Sequence, residues 1–191
     1  MRRTRIVVAT ALALVLVGAL VHAEVPAAAA TGARSRTTTG TRPKTPPAPP
    51  GTDWVTFYGY VDNSPPGGAI AHPCIHPTAG GVGTYANPVT FAEPTDPDGP
   101  WCQIIYVPFL EKYFIHEDLC DPCGGVNTAH VDLWMGGDAA SRHKPERRVL
   151  LGCEDTWTRY AVIIQSPPPD EPVDTTPLFT PPTTCHGGTG D

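Results

Sequence analysis

The chain has 191 residues, with 13 basic side chains against 19 acidic ones and a formal net charge of −6. A surface of that sign repels phosphate backbones and anionic membranes, which argues against nucleic acid and favours neutral or cationic polymers as partners.

The first 23 residues read as a secretory signal peptide. Arg2, Arg3 and Arg5 form a basic start, residues 6–21 are an apolar run, and Val21-His22-Ala23 fits a cleavage site. The alanines at 27–30 offer a second site. Removing the leader takes away three arginines and no acid, so the mature, secreted chain is more acidic still. That mature form is expected to be monomeric and to carry no membrane segment. Residues 24–52 hold almost no large apolar side chain and read as a disordered linker rich in alanine, threonine and proline.

A β-barrel domain is expected over residues 53–165. Strand-like runs follow one another: 54–61 (WVTFYGYV), 69–72 (AIAH), 88–92 (PVTFA), 102–110 (CQIIYVPFL), 112–118 (KYFIHED), 129–135 (AHVDLWM), 147–155 (RRVLLGCED) and 160–166 (YAVIIQS). Glycines in the loop 76–85 mark a place where the backbone passes close to a ligand or to a neighbouring strand. The stretch 93–101 (EPTDPDGPW) reads as a loop. Asp138 is expected to cap a short helix that ends near Pro145. This pattern predicts a small all-β barrel of six to eight strands with one or two short helices.

The centre of the chain is the segment 112–135, two strand runs joined by a loop with cysteines and glycines. Alternation puts Phe114, His116 and Asp118 on one face of the first run. In the second run Val131, Leu133 and Met135 form the apolar row, and His130, Asp132 and Trp134 face the other way. Asp118, His116, Asp132 and Trp134 would then line one cleft, acids beside an aromatic wall.

The six cysteines, Cys74, Cys102, Cys120, Cys123, Cys153 and Cys185, are even in number in an exported chain and are expected to form disulfides. Cys185 sits in a proline- and threonine-rich tail, 166–191, read as mostly disordered. It is expected to pair with Cys74, or else with Cys102, and a further bridge to tie the Cys120–Cys123 loop to Cys153. One CxxC with no second pair is a weak zinc signal, and the loop histidines His72, His76 and His130 add little to it. No metal and no cofactor are expected.

The order Thr56-Phe57-Tyr58-Gly59, then Ile105-Tyr106-Val107-Pro108, then Glu117-Asp118, a glycine loop, and Val131-Asp132-Leu133-Trp134-Met135 resembles the three-aspartate domain of bacterial cell-wall enzymes. That family includes stationary-phase muralytic factors and the catalytic barrel of membrane-bound lytic transglycosylase A. The stretches 78–85 (TAGGVGTY) and 130–137 (HVDLWMGG) are also similar to secreted fungal and actinobacterial proteins. The resemblance covers about 55–164. It implies a double-psi β-barrel and cleavage of cell-wall glycan, with Asp132 as the catalytic acid and Asp118 as the second acid. Glu93, in Phe91-Ala92-Glu93-Pro94, stands where the family has its first aspartate.

The expected partner is thus a cell-wall or extracellular polysaccharide. Tyr58, His76, Tyr85, His116, His130 and Trp134 are the candidate substrate-binding residues. Two other readings stand beside the glycan-cleaving one: an expansin-like polysaccharide-binding module without turnover, and a secreted interaction or inhibitor protein.

Overall fold

The computed structural model describes residues 48–94, 100–120, 123 and 130–186. The leader, the linker up to residue 47, the loop 95–99 and most of the loop between the two central runs lie outside the described residues. Among the described residues, no helix is long and apolar enough to cross a membrane.

Seven strands form one curled sheet, a half-barrel: β1 (Asp53–Gly59), β2 (Val89–Glu93), β3 (Ile104–Val107), β4 (Lys112–Leu119), β5 (His130–Gly136), β6 (Arg159–Ala161) and β7 (Ile164–Gln165). They lie in the order β6-β1-β5-β2-β4-β3-β7. β1 runs parallel to β5 and β2 parallel to β4, and β5 meets β2 antiparallel at the centre. The central strands are rich in Val, Phe, Tyr and Ile, residues that fit a pleated surface buried on both sides. Val55, Phe57, Phe91, Phe114 and Leu133 form the heart of the core.

Register decides which side chains meet. Side chains opposite one another on neighbouring strands share a face. Phe57, Leu133, Phe91 and His116 make one row across four strands. Thr56, Asp132, Ala92 and Asp118 make the next, on the opposite face. Phe91 pairs with His116 but Ala92 pairs with Asp118, so Glu117 is an extra residue, a β-bulge. The expected common face for His116 and Asp118 is therefore corrected. The bulge leaves His116 with the core and turns Asp118 toward the row of Asp132.

The segment 147–155 is not a strand. It lies in α1 (Glu146–Trp157), whose buried residues Glu146, Leu150, Cys153 and Glu154 recur at helical spacing. The Val-Leu-Leu run hides that stripe. A 3-10 turn at Ala139–Arg142 precedes the helix and is capped by Asp138, which accepts from the backbone of Ala140 and Ser141. The expected strand at 69–72 is a loop, held to β4 by the Asp118 carboxylate at Ala71 and the Glu117 backbone carbonyl at His72. In the glycine loop, Gly81 has φ +106°, and a Cβ there would lie 2.0 Å from the carbonyl oxygen of Pro88. The close approach is to a neighbouring chain segment.

All six cysteines are bridged, in pairs that differ from expectation: Cys74–Cys102, Cys120–Cys123 and Cys153–Cys185. Cys185 reaches Cys153 because α1 presents that residue fully buried beneath the tail. The tail is packed over its described part, 166–186, which corrects the reading of that part as disordered. Tyr106 and Tyr113 donate their hydroxyls to the carbonyls of Pro172 (2.7 Å) and Pro168 (2.6 Å). Leu178 and Phe179 enter the core, the latter in a hairpin of β8 (Phe179–Thr180) and β9 (Thr184–Cys185). Prolines lower the entropy cost of ordering such a strap. By chain entropy the bridges spanning 28 and 32 residues stabilise by about 3.6 kcal/mol each, the one spanning 3 by about 2.

Burial of Leu178 and Phe179 contributes roughly 1.5–3 kcal/mol each. Limited proteolysis of the oxidised chain is therefore expected to leave a resistant fragment that retains residues 166–186. Truncation after Gln165 should lower stability by at least about 3 kcal/mol in chemical denaturation. A truncated chain as stable as the full one contradicts the assignment of the tail to the core.

Candidate functional site

Two carboxyl groups stand on either side of Ala92. Asp132 precedes it on β5 and Asp118 follows it on β4, both in register with it. At one strand spacing each, their backbones lie about 10 Å apart, and the alanine places no bulk between them. Thr56 on β1 fixes Asp132 by donating its hydroxyl at 2.7 Å. His130 Nε2 lies 2.9 Å from the same hydroxyl. Asp118 accepts from Tyr58 (3.0 Å), from the backbone of Ala71 (3.1 Å) and from its neighbour Leu119 (2.9 Å). Tyr58 meets Trp134 edge to face at 5.2 Å.

Burial pushes the carboxyl of Asp132 up to about 7; the negative charges of Asp62 and Asp118 add to this, and the Thr56 hydrogen bond opposes it. Burial also raises Asp118, against its three hydrogen bonds. Burial first, then Asp118, hold the Tyr58 phenol well above its ordinary value.

Asp62 and Glu154 complete the cluster, and both escape sequence reading. Asp62 lies in the turn after β1 and accepts from the backbone of Gly59 at 2.8 Å. Glu154 projects from α1, buried, and shares a hydrogen bond with Asp62. Burial and the charge of Asp62 push it up to about 9, so it is protonated at neutral pH. Its Oε1 has no hydrogen-bond partner among the described residues. A Cβ at Gly59 would lie 2.9 Å from that oxygen, so glycine there lets the helix approach the sheet. The signal for Glu154 was the helical stripe of α1, in which it is a polar member of the buried face.

The other expected site residues lie elsewhere. His116 is fully buried in a ladder of rings, between Phe91 (5.2 Å) and Trp101 (4.5 Å), with His72 beyond at 4.8 Å. Glu93 lies with it, Oε1 at 3.3 Å from His116 Nδ1. Burial raises Glu93 and His116 opposes this. His76 braces a loop: its Nδ1 meets Glu117 Oε2 at 2.7 Å and its Nε2 meets Asn87 at 2.8 Å. Glu117 also accepts from the backbone of Cys74, Ile75 and His76 and from the Thr90 hydroxyl. These bonds outweigh its burial and hold its carboxyl low. Tyr85, 39% exposed, packs on Tyr113 away from the acids. The structure thus gathers Asp132, Asp118, Tyr58, His130 and Trp134, sets His116 behind Asp118 with its Nε2 3.1 Å from that residue's backbone carbonyl, and places Glu93, His76 and Tyr85 away from the acids.

Among the described residues, two clusters have metal-ligand residue types, His72 with Cys74 and Cys102, and Cys120 with Cys123 and Asp132. Their cysteines are bridged and offer no thiolate.

A curled β half-barrel with a buried carboxyl cluster on one face of its central strands is the class this molecule defines. The chain belongs to the family of the DDB_G0273701 N-terminal domain, whose model matches residues 51–186. It is similar to the "Uncharacterized protein DDB_G0273701/DDB_G0273221" of Dictyostelium discoideum, with 37% identity over 135 residues, covering 67% of this chain and 56% of that protein. The chain therefore spans about half the length of the curated relative it matches. No solved structure matches it.

The raised Asp132 gives a signed expectation. Its proton is held more tightly in the folded chain than in the unfolded one, so ionising it costs stability as pH rises from about 4 through 7. Asp132→Asn removes that cost. Urea denaturation is expected to show the variant more stable than wild type at pH 8 by on the order of 2–4 kcal/mol, with the gain vanishing by pH 3. A difference that is the same at both pH values contradicts the reading.

Proposed function

We propose that this chain is a secreted, glycan-active protein that cleaves glycosidic bonds of a cell-wall polysaccharide, with Asp132 as the general acid. The finer fold we infer is a double-psi barrel. Two parallel pairs, β1 with β5 and β2 with β4, meet antiparallel at the centre, as two interlocked ψ units require. Three disulfides suit an oxidising compartment.

One observation carries the reading: an immobilised carboxyl held at about 7, with a second carboxyl on the same row. A general acid works best when its pKa lies near the working pH. Asp132 donates its proton to the glycosidic oxygen as the bond breaks. In lytic transglycosylation it then takes a proton from the sugar's own hydroxyl, which closes an anhydro ring. Inverting hydrolysis instead needs a second carboxylate some 6.5–9.5 Å away to activate water. Asp118 and Asp62 are the acids that act on Asp132 by charge, and they are the candidates for that role.

Burial of the aromatics favours cleavage over binding alone. Tyr58 and Trp134 are buried against each other and form an apolar wall for the acids, where a binding platform needs open ring faces.

Incubation with a panel of wall polymers, followed by mass spectrometry of the products, tests the proposal. Asp132→Asn is expected to lower turnover by on the order of 10²–10⁴. Asp118→Asn should cost less if the products carry anhydro ends. Full turnover by Asp132→Asn overturns the assignment, and binding without cleavage by the wild type replaces it with the expansin-like reading.

A further inference from the structure

Cys74–Cys102 and Cys153–Cys185 tie distant parts of the chain together. Cys120–Cys123 spans a separation of 3 at the end of β4, so by chain entropy it contributes least of the three bridges to the fold and leaves room for another role. Its surroundings are distinctive. Both sulfurs and a carboxylate oxygen of Asp132 lie within 4.8 Å of one another. We propose that Cys120–Cys123 is a redox-active pair that exchanges disulfides with a polypeptide dithiol, and that Asp132 carries the proton for its leaving sulfur. The inference rests on the position of Asp132 and does not depend on glycan cleavage.

The exchange balances. A partner thiolate attacks Cys120 Sγ, a bond forms between those sulfurs, and the Cys120–Cys123 bond breaks with its electron pair on Cys123. Asp132 gives Cys123 a proton and takes one back from solvent, which has received the two protons that the partner's thiols lost on becoming thiolates. The partner's second thiolate then attacks the partner sulfur of the mixed disulfide, and Cys120 leaves and is protonated from solvent. The partner dithiol is oxidised, the pair is reduced, and two electrons and two protons pass to the chain.

The need for Asp132 follows from burial. Cys120 and Cys123 are 7% and 4% exposed. A thiolate released there beside an ionised carboxylate would set two like charges in a site shielded from water. A proton on Asp132 removes that conflict. Among the described residues, its other neighbours do not supply a cation. Asp62, Asp118 on β4 and Glu154 on α1 are acids, and Tyr58 on β1 is a neutral phenol. His130, hydrogen-bonded to the backbone of Cys123, is lowered by burial and favours its neutral form. Leu119, 43% exposed, directly precedes Cys120 and gives an apolar side chain beside the sulfur, which suits a polypeptide thiol.

The oxidised, folded full-length chain is treated with limiting dithiothreitol between pH 6 and 9, quenched, alkylated and mapped by mass spectrometry. Cys120 and Cys123 are expected to be labelled at least about tenfold faster than the other four cysteines. The ratio of wild-type to Asp132→Asn rates cancels the reagent's own ionisation. It should be about tenfold or more at pH 6 and fall toward one above pH 8, as loss of a positioned acid requires. Thr56→Val removes the hydrogen bond that lowers Asp132 and should move the midpoint of the pH profile upward; it serves as well if Asp132→Asn fails to fold. A reduced dithiol peptide in place of dithiothreitol should be recovered as its disulfide. A pair reduced no faster than Cys74–Cys102, a rate ratio of one at every pH, or a peptide that stays reduced overturns the proposal. Glycan cleavage, measured on the same samples, reports separately on the other reading.

Discussion

Glu117 is the extra residue in β4, and the register shift around it sets the geometry of the site. Without the bulge, His116 and Asp118 would share a face, and either the imidazole would leave the ring ladder or the carboxyl would leave the row of Asp132. With it, Asp118 lines up with Ala92 and Asp132 while Glu117 reaches the loop 74–76. A buried carboxylate is expensive unless its oxygens are filled. Those of Glu117 are filled by three backbone N–H groups, an imidazole and a hydroxyl. One bulge therefore ties the loop to the sheet and places a neighbouring acid.

Glu117 on β4 and Asp132 on β5 consequently have opposite fates. Glu117 gathers enough donors to stay ionised in a buried place, and its carboxyl is held low. Asp132 on β5 has one hydroxyl donor against burial and two nearby negative charges, and its carboxyl is pushed up to about 7. Asp118 stands between these cases. Donor count set against burial and charge separates structural carboxylates from chemically useful ones. Glu154 extends the pattern: with burial and Asp62 both against ionisation, it keeps its proton at neutral pH.

The long strands were legible because their alternation and β-branched content are strong over five or more residues; β1, β2, β4 and β5 all begin and end near the expected places. The nearness of Asp118 and Asp132, with Tyr58, His130 and Trp134, was legible from the two aspartates on facing runs. The bulge was not, since one inserted residue leaves no mark in a seven-residue pattern. Neither was α1, whose Val-Leu-Leu run imitates a strand, and with it went Glu154 and the partner of Cys185. Composition misled at the tail, where prolines signal disorder in isolation but form a strap once Tyr106 and Tyr113 supply donors for their carbonyls.

Everything proposed for this molecule turns on the proton of Asp132. Carboxyl-carbon NMR of the folded, aspartate-labelled chain, titrated from pH 3 to 9, reads that proton directly. The account predicts a midpoint near 7 for Asp132, moving down in Asp62→Asn as a nearby negative charge is removed. A midpoint near 4, the ordinary value for an aspartate, would contradict it.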